Sequence, residues 1–111
     1  MIISFKSKKL QKICSTHKSV LKELGQTKGN KLMLRMVELN AAIALSDISQ
    51  LPPARLHELT GNRKGQFSVD LEHPYRLLFM PNNEPIPVKK DGGLDKAKIN
   101  EIIIIGIEDT H

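Results

Sequence analysis

Apolar positions change their spacing twice along the chain, and each change marks a change of element. Ile2, Ile3 and Phe5 form a short apolar opening that predicts a first strand. Ser7-Lys8-Lys9-Leu10-Gln11-Lys12-Ile13 then opens a basic helix with Leu10 and Ile13 on its apolar side. Val20, Leu21 and Leu24 either continue that helix or build a second turn, and Gly25 and Gly29 punctuate its end. Leu32, Met36, Leu39 and Ile43 recur at spacings of four, three and four, with Met33, Val37 and Ala44 widening the stripe. An amphipathic helix over residues 30–45 is expected, with Lys31, Arg35, Glu38 and Asn40 largely on its polar side. Pro52-Pro53 ends it and returns the chain to extended structure.

Beyond the prolines the period is two. Phe67, Val69 and Leu71 alternate with Gln66, Ser68 and Asp70, which predicts a half-buried strand. His73-Pro74 marks a turn, and Tyr75 to Met80 is the next strand, with Arg76 sharing a face with Leu78 and Met80. Residues 81–100, rich in proline, glycine and lysine, interrupt the pattern as a long loop. The isoleucine-rich run from Glu101 to Glu108 reads as a buried central strand. A strand, then helices, then three or four strands predict an α+β fold, with the N-terminal strand and helices packed on one face of a mostly antiparallel sheet.

Length and composition narrow the class. With 111 residues the chain is a single domain spanning residues 1–111. A formal charge of +5 makes an anionic partner plausible, although ordinary solubility charge explains the same sum. One cysteine, Cys14, forms no internal disulfide and is expected as a small buried hydrophobe. It provides no metal site on its own, and no metal or cofactor is expected. The N-terminus becomes charged too soon for a signal peptide, and the isoleucine run is too short to span a bilayer, so a cytoplasmic protein with no membrane partner is expected.

Chemistry gathers at two places. The last strand runs into Asp109-Thr110-His111, which puts an acid, a hydroxyl and an imidazole at the rim of a rigid sheet. A second histidine lies in the basic stretch Arg55-Leu56-His57-Glu58-Leu59-Thr60-Gly61-Asn62-Arg63-Lys64-Gly65. Together they point to RNA handling.

The ordered set Leu51-Pro52-Pro53, Arg55-Leu56-His57-Glu58-Leu59-Thr60-Gly61, Gly65-Gln66-Phe67-Ser68-Val69, Tyr75-Arg76-Leu77-Leu78-Phe79 and Ile107-Glu108-Asp109-Thr110-His111 resembles the HigB-type plasmid maintenance system killer toxins of the RelE/ParE superfamily. The resemblance runs over nearly the whole chain. It implies a RelE/ParE-like fold and the toxin half of a type II toxin–antitoxin module. Such a toxin cuts mRNA in the ribosomal A site and is neutralised by a cognate antitoxin, HigA-like and of the helix-turn-helix type. The superfamily also includes non-catalytic toxins that poison DNA gyrase, and a plain basic RNA- or ribosome-binding module is a third reading.

Metal-free RNA cleavage needs a base for the RNA's own 2′-hydroxyl, cations for charge building on the phosphate, and an acid for the departing 5′-oxygen. His111 is the first candidate for proton transfer and His57 the second. If the last strand stays regular, Asp109 lies on the same face as His111 and can orient it. His57 is equally read as a strand histidine satisfied by a hydrogen bond. Arg76 either binds phosphate, as the family pattern implies, or pairs internally with Glu108 or Asp109. Arg63 and Lys64, after the Gly61-Asn62 turn, either position the RNA backbone or form a solvated hairpin tip. Arg55, Lys8 and Lys9 are further RNA-binding candidates, with Lys12 beside them. Two departures from the family pattern stand out: Thr60 where many members carry lysine, and Thr110 where many carry tyrosine. Threonine neither stabilises phosphate charge nor stacks on a base.

Overall fold

The computed structural model describes residues 1–109, apart from the side chain of His17. Strand β1 (Ile2–Phe5) leads into three helices, α1 (Lys8–Ser15), α2 (His17–Leu24) and α3 (Gln26–Ala41). Four strands follow: β2 (His57–Glu58), β3 (Phe67–Asp70), β4 (Tyr75–Pro81) and β5 (Glu101–Asp109). They form one sheet in the order β1-β5-β4-β3-β2, parallel only between β1 and β5. The helices pack against this five-stranded, mostly antiparallel sheet, so the α+β architecture expected from the pattern is the one observed.

Caps explain why the basic N-terminal segment breaks into two short helices. The Ser7 hydroxyl accepts from the Leu10 amide and starts α1. Thr16, extended at φ −132°, ends α1 and caps α2 by accepting from the Ser19 amide. Gly25, at φ 78°, turns the chain from α2 into α3. Gly29 does not mark an end, as its residue type suggested, but lies inside α3. A Cβ there would meet Val20 Cγ1 at 3.0 Å, so glycine is needed for the close approach of α2 and α3. Gly29→Val is expected to destabilise the protein by roughly 1–3 kcal/mol through overpacking. Urea unfolding tests this, and an unchanged midpoint would show that the two helices do not pack so tightly.

Helix α3 begins and ends four residues earlier than the apolar repeat suggested. Leu32, Met36 and Leu39 are buried as expected, but the helix stops at Ala41, and Ile43 stands out in solvent. The Asp47 carboxylate accepts from the Ile43 and Ala44 amides and stabilises that departure. The Met1 ammonium donates to the Leu39, Asn40 and Ala42 carbonyls, tying β1 to the same helix end. Pro52-Pro53 lies in a turn rather than in extended chain.

The core lies between α3 and one face of the sheet. Phe67, Val69, Leu77, Phe79, Ile102 and Ile104 meet Val20, Leu32, Met36 and Leu39 there, and the Phe67 and Phe79 rings stack with centroids 6.0 Å apart. Cys14 is half-buried against this cluster, and burial pushes its thiol up to about 11. The thiol therefore stays protonated at neutral pH and is a poor nucleophile. The long segment after β4 is stapled down at its end. Asn83 accepts from the Asn100 and Glu101 amides, and the Leu45 amide donates to the Ile99 carbonyl.

Candidate active site

Register decides which side chains share a face. Asp70 on β3 pairs with Arg76 on β4, and Arg76 pairs with Glu108 on β5. This row lies on the face away from the core, because Leu77 and Ile107, one residue along, point into it. His57 pairs with Ser68, which pairs with Leu78, so His57 stands on the same outer face one row away. Asp109 pairs with Tyr75 and follows Ile107 by two, which turns it to the helix side of the sheet. Thr110 and His111 lie outside the described residues.

Asp70 holds the site together, and nothing in its sequence context singled it out. Its amide donates to the Ala54 carbonyl, and its own carbonyl accepts from Arg35 Nε at 2.8 Å. With the backbone pinned from both sides, the carboxylate receives Arg55 in a fork, Nε at 2.7 Å and NH2 at 3.2 Å. Arg76 Nε stands 3.5 Å from Asp70 Oδ1. Arg35, placed on the polar side of its helix by the apolar repeat, is instead buried: it also donates to Glu38 Oε1 at 2.7 Å, so its charge is paired.

Arg55 holds a left-handed backbone at φ 50°, which side chains other than glycine rarely adopt. The Asp70 carboxylate, by hydrogen bond and by charge, raises the Arg55 pKa further above its ordinary value, so the guanidinium is permanently charged. An arginine in that conformation, fixed by two hydrogen bonds at the end of the sheet, marks a place where geometry is held at some energetic cost.

Arg63 comes to the same face from the other side. It lies in a short helical turn, Gly61–Arg63, and its NH2 donates to Glu108 Oε1 at 2.8 Å. Glu108 is two strands beyond β3, roughly 10 Å at ordinary strand spacing, so the turn must lean over the outer face. That cover accounts for the full burial of Ser68 and Leu78, although Ser68 was expected on a solvated side. Arg63 is therefore not a free hairpin tip, whereas Lys64 is exposed.

One end of the sheet thus collects Arg55, Asp70, Arg76, Glu108 and Arg63 on the outer face, with Asp109 beside Tyr75 around the edge. A small hollow of about 30 Å³ is lined by Arg55, Asp70, His73, Tyr75 and Arg76. His73, read from the sequence only as part of a turn, is the histidine of that hollow. His57 lines a separate, open hollow of about 500 Å³ at the edge of the sheet, and Arg55 borders both. Lys28 of α3 places its ammonium 3.6 Å above the Tyr75 ring, joining the helical layer to this end. Lys8 and Lys9 belong elsewhere, exposed on α1.

Chemically, this end of the sheet offers three guanidinium groups interleaved with carboxylates at the point where β5 delivers its last residues. A phosphate can displace a carboxylate from an arginine fork, because both present paired anionic oxygens to it. The described residues contain no cluster of three or more metal-ligating side chains. They also contain no helix long and apolar enough to cross a membrane.

No protein-family model matches the chain, and no curated protein matches it. Among solved structures it is similar to a chain of the YoeB–YefM complex from Staphylococcus aureus, with a TM-score of 0.56 at 14% identity, covering 100% of this chain and 98% of that one. At that identity the likeness speaks for the fold: this protein has the fold of a chain from the YoeB–YefM complex.

Proposed function

We propose that this protein is the toxin of a type II toxin–antitoxin module and that it acts as a metal-independent, ribosome-dependent endoribonuclease on translated mRNA. The observation that carries the proposal is the row Asp70–Arg76–Glu108, flanked by Arg55 and Arg63, near the end of β5, which Thr110 and His111 follow in the sequence. The HigB-like motif order, the RelE/ParE-like fold and the shared fold with a chain of a two-protein complex support it.

In this reading the RNA 2′-hydroxyl attacks the adjacent phosphorus, and the bond to the 5′-oxygen breaks, leaving a 2′,3′-cyclic phosphate. Arg76 and Arg55 hold the phosphate and offset its growing charge. His111, oriented by Asp109, takes the proton of the 2′-hydroxyl and returns a proton to the departing 5′-oxygen, with His57 as the second candidate for proton transfer. Lys64 and Arg63 guide the RNA backbone. A helix-turn-helix antitoxin of HigA type keeps the protein inactive in the cytoplasm.

The test is expression in growing bacteria with and without the neighbouring reading frame, combined with mapping of mRNA 5′ ends. Growth arrest with new ends inside translated messages is the expected result, and His111→Ala or removal of the last three residues is expected to relieve both. Intact messages in arrested cells would overturn the nuclease reading.

One observation favours a second, non-catalytic reading. Arg55 and Arg63 already hold carboxylates, and Thr60 and Thr110 supply neither a phosphate cation nor a stacking ring. A superfamily toxin of the gyrase-inhibiting type would arrest growth with a DNA-damage response and no cleaved mRNA.

A further inference from the structure

The surplus positive charge of this protein does not lie at the candidate active site. Residues 1–31 hold eight lysines and one acid, Glu23, whereas the rest of the chain holds nine basic and eleven acidic side chains. The surplus is thus carried by the N-terminal segment, mostly on α1 and α2, which lie on the opposite side of the sheet from the arginine row.

Four of those lysines face one another. Lys9 and Lys12 on α1, three residues apart, and Lys18 and Lys22 on α2, four apart, line a hollow of about 300 Å³ over Ile13, with Glu23 as the one acid of the lining. Spacings of three and four put each pair on one side of its helix. All four are exposed, and no ion pair among the described residues involves a lysine; the ion pairs that form use arginine. Four ammonium groups against the single Glu23 carboxylate leave the concavity with an excess of positive charge, which attracts an anion held between them.

We infer that this hollow is a docking site for a nucleic-acid phosphate backbone, separate from the candidate cleavage site. Two features favour a backbone over an acidic protein surface. Protein partners are held by large apolar anchors seated in pockets. The large apolar side chains exposed on this molecule, such as Leu34, Val37, Ile43 and Leu51, lie off α1 and α2. The hollow is also without an aromatic ring, so it offers no platform for stacked bases. Lysine ammonium groups on flexible stems suit phosphates of any sequence, as point charges rather than shaped forks. The inference goes beyond the proposed nuclease activity: it describes how the protein is held on RNA, whichever chemistry its other face performs.

The experiment compares the full-length protein with two fourfold variants of equal charge change. One carries Lys9→Gln, Lys12→Gln, Lys18→Gln and Lys22→Gln; the other carries Lys89→Gln, Lys90→Gln, Lys96→Gln and Lys98→Gln. Binding to fluorescein-labelled poly(U) and poly(A) oligonucleotides and to poly-glutamate is titrated between low and moderate salt. Circular dichroism checks that both variants fold. The hollow variant is expected to lose RNA affinity about tenfold or more and to flatten the salt dependence by roughly three counterions, at about 0.7 per single-strand phosphate contact. It should lose equally on poly(U) and poly(A), while the control keeps most of its affinity. Equal losses in both variants would reduce the effect to net charge and overturn the site. So would unchanged RNA binding in the hollow variant, or a larger loss on poly-glutamate than on RNA, which would assign the surface to an acidic protein. Mapping of mRNA ends after induction separates the two proposals: a loss of RNA affinity confined to the hollow variant supports the docking site whether or not cleavage is ever seen.

Discussion

Arg76→Ala is expected to abolish growth arrest and to lower mRNA cleavage by about 100-fold or more, the scale seen when one preorganised charge donor is removed from a reacting phosphate or oxyanion. Arg76 is largely buried in the row between Asp70 and Glu108, so its guanidinium is aimed by its neighbours rather than waving in solvent. Its position on β4, a strand paired on both sides, fixes the backbone beneath it. Arg76→Lys keeps the charge but not the planar fork, and should recover only a small part of the activity. The measurement is mapping of mRNA ends after induction, with circular dichroism to confirm folding. Full cleavage by a folded Arg76→Ala protein would remove this arginine from the mechanism. Asp70→Asn is a useful companion, because it releases Arg55 and Arg76 from their shared carboxylate without emptying the site.

The second large effect concerns stability. Phe79→Ala is expected to cost about 3–5 kcal/mol, the usual range for deleting a buried aromatic ring. Phe79 is fully buried, stacks on Phe67 at an interplanar angle of 15°, and sits at the bulge where the β4–β5 register shifts. Its removal leaves a cavity that two flanking strands cannot close. Against a total stability of about 5–15 kcal/mol for a domain of this kind, the variant should be largely unfolded near body temperature. Urea unfolding checks the value, with the exposed Leu34→Ala as a control that should move by no more than about 0.5 kcal/mol. A loss at Phe79 no larger than that of the control would mean that the core has been misplaced.

The arginine cluster became visible only through pairing. Arg76 was noticeable in the sequence as a charge inside an apolar strand, and the two internal partners considered for it were Glu108 and Asp109. Asp70 also comes to its Nε, at 3.5 Å, and Asp70 looked like one more polar residue of an alternating strand. Its importance comes from Arg35, 35 positions earlier, and from Arg55, 15 positions earlier, contacts that no local spacing encodes. Asp109 and Arg76 were both read as members of the catalytic set. Strand parity separates them, because adjacent residues of β5 point to opposite faces and Arg76 is paired with Glu108. His73 reached the site by belonging to the turn between two paired strands, a placement that depends on the β3–β4 register.

The linear order of residues was enough to establish most of the elements themselves: the short opening strand, the basic helix opened at Ser7, the apolar stripe of α3 and the isoleucine strand β5, whereas the break at Thr16 into a second helix was not read from it. Those features follow from periods and caps that act over a few residues, so they can be read one segment at a time. Strand order, the parallel pairing of β1 with β5, the faces given to Arg76 and Asp109, and the separation of the lysine hollow from the arginine row were settled by tertiary packing alone. Each of them depends on which distant segments hydrogen-bond in which register. A shift of one residue in that register would turn every side chain to the other face while leaving the local pattern unchanged.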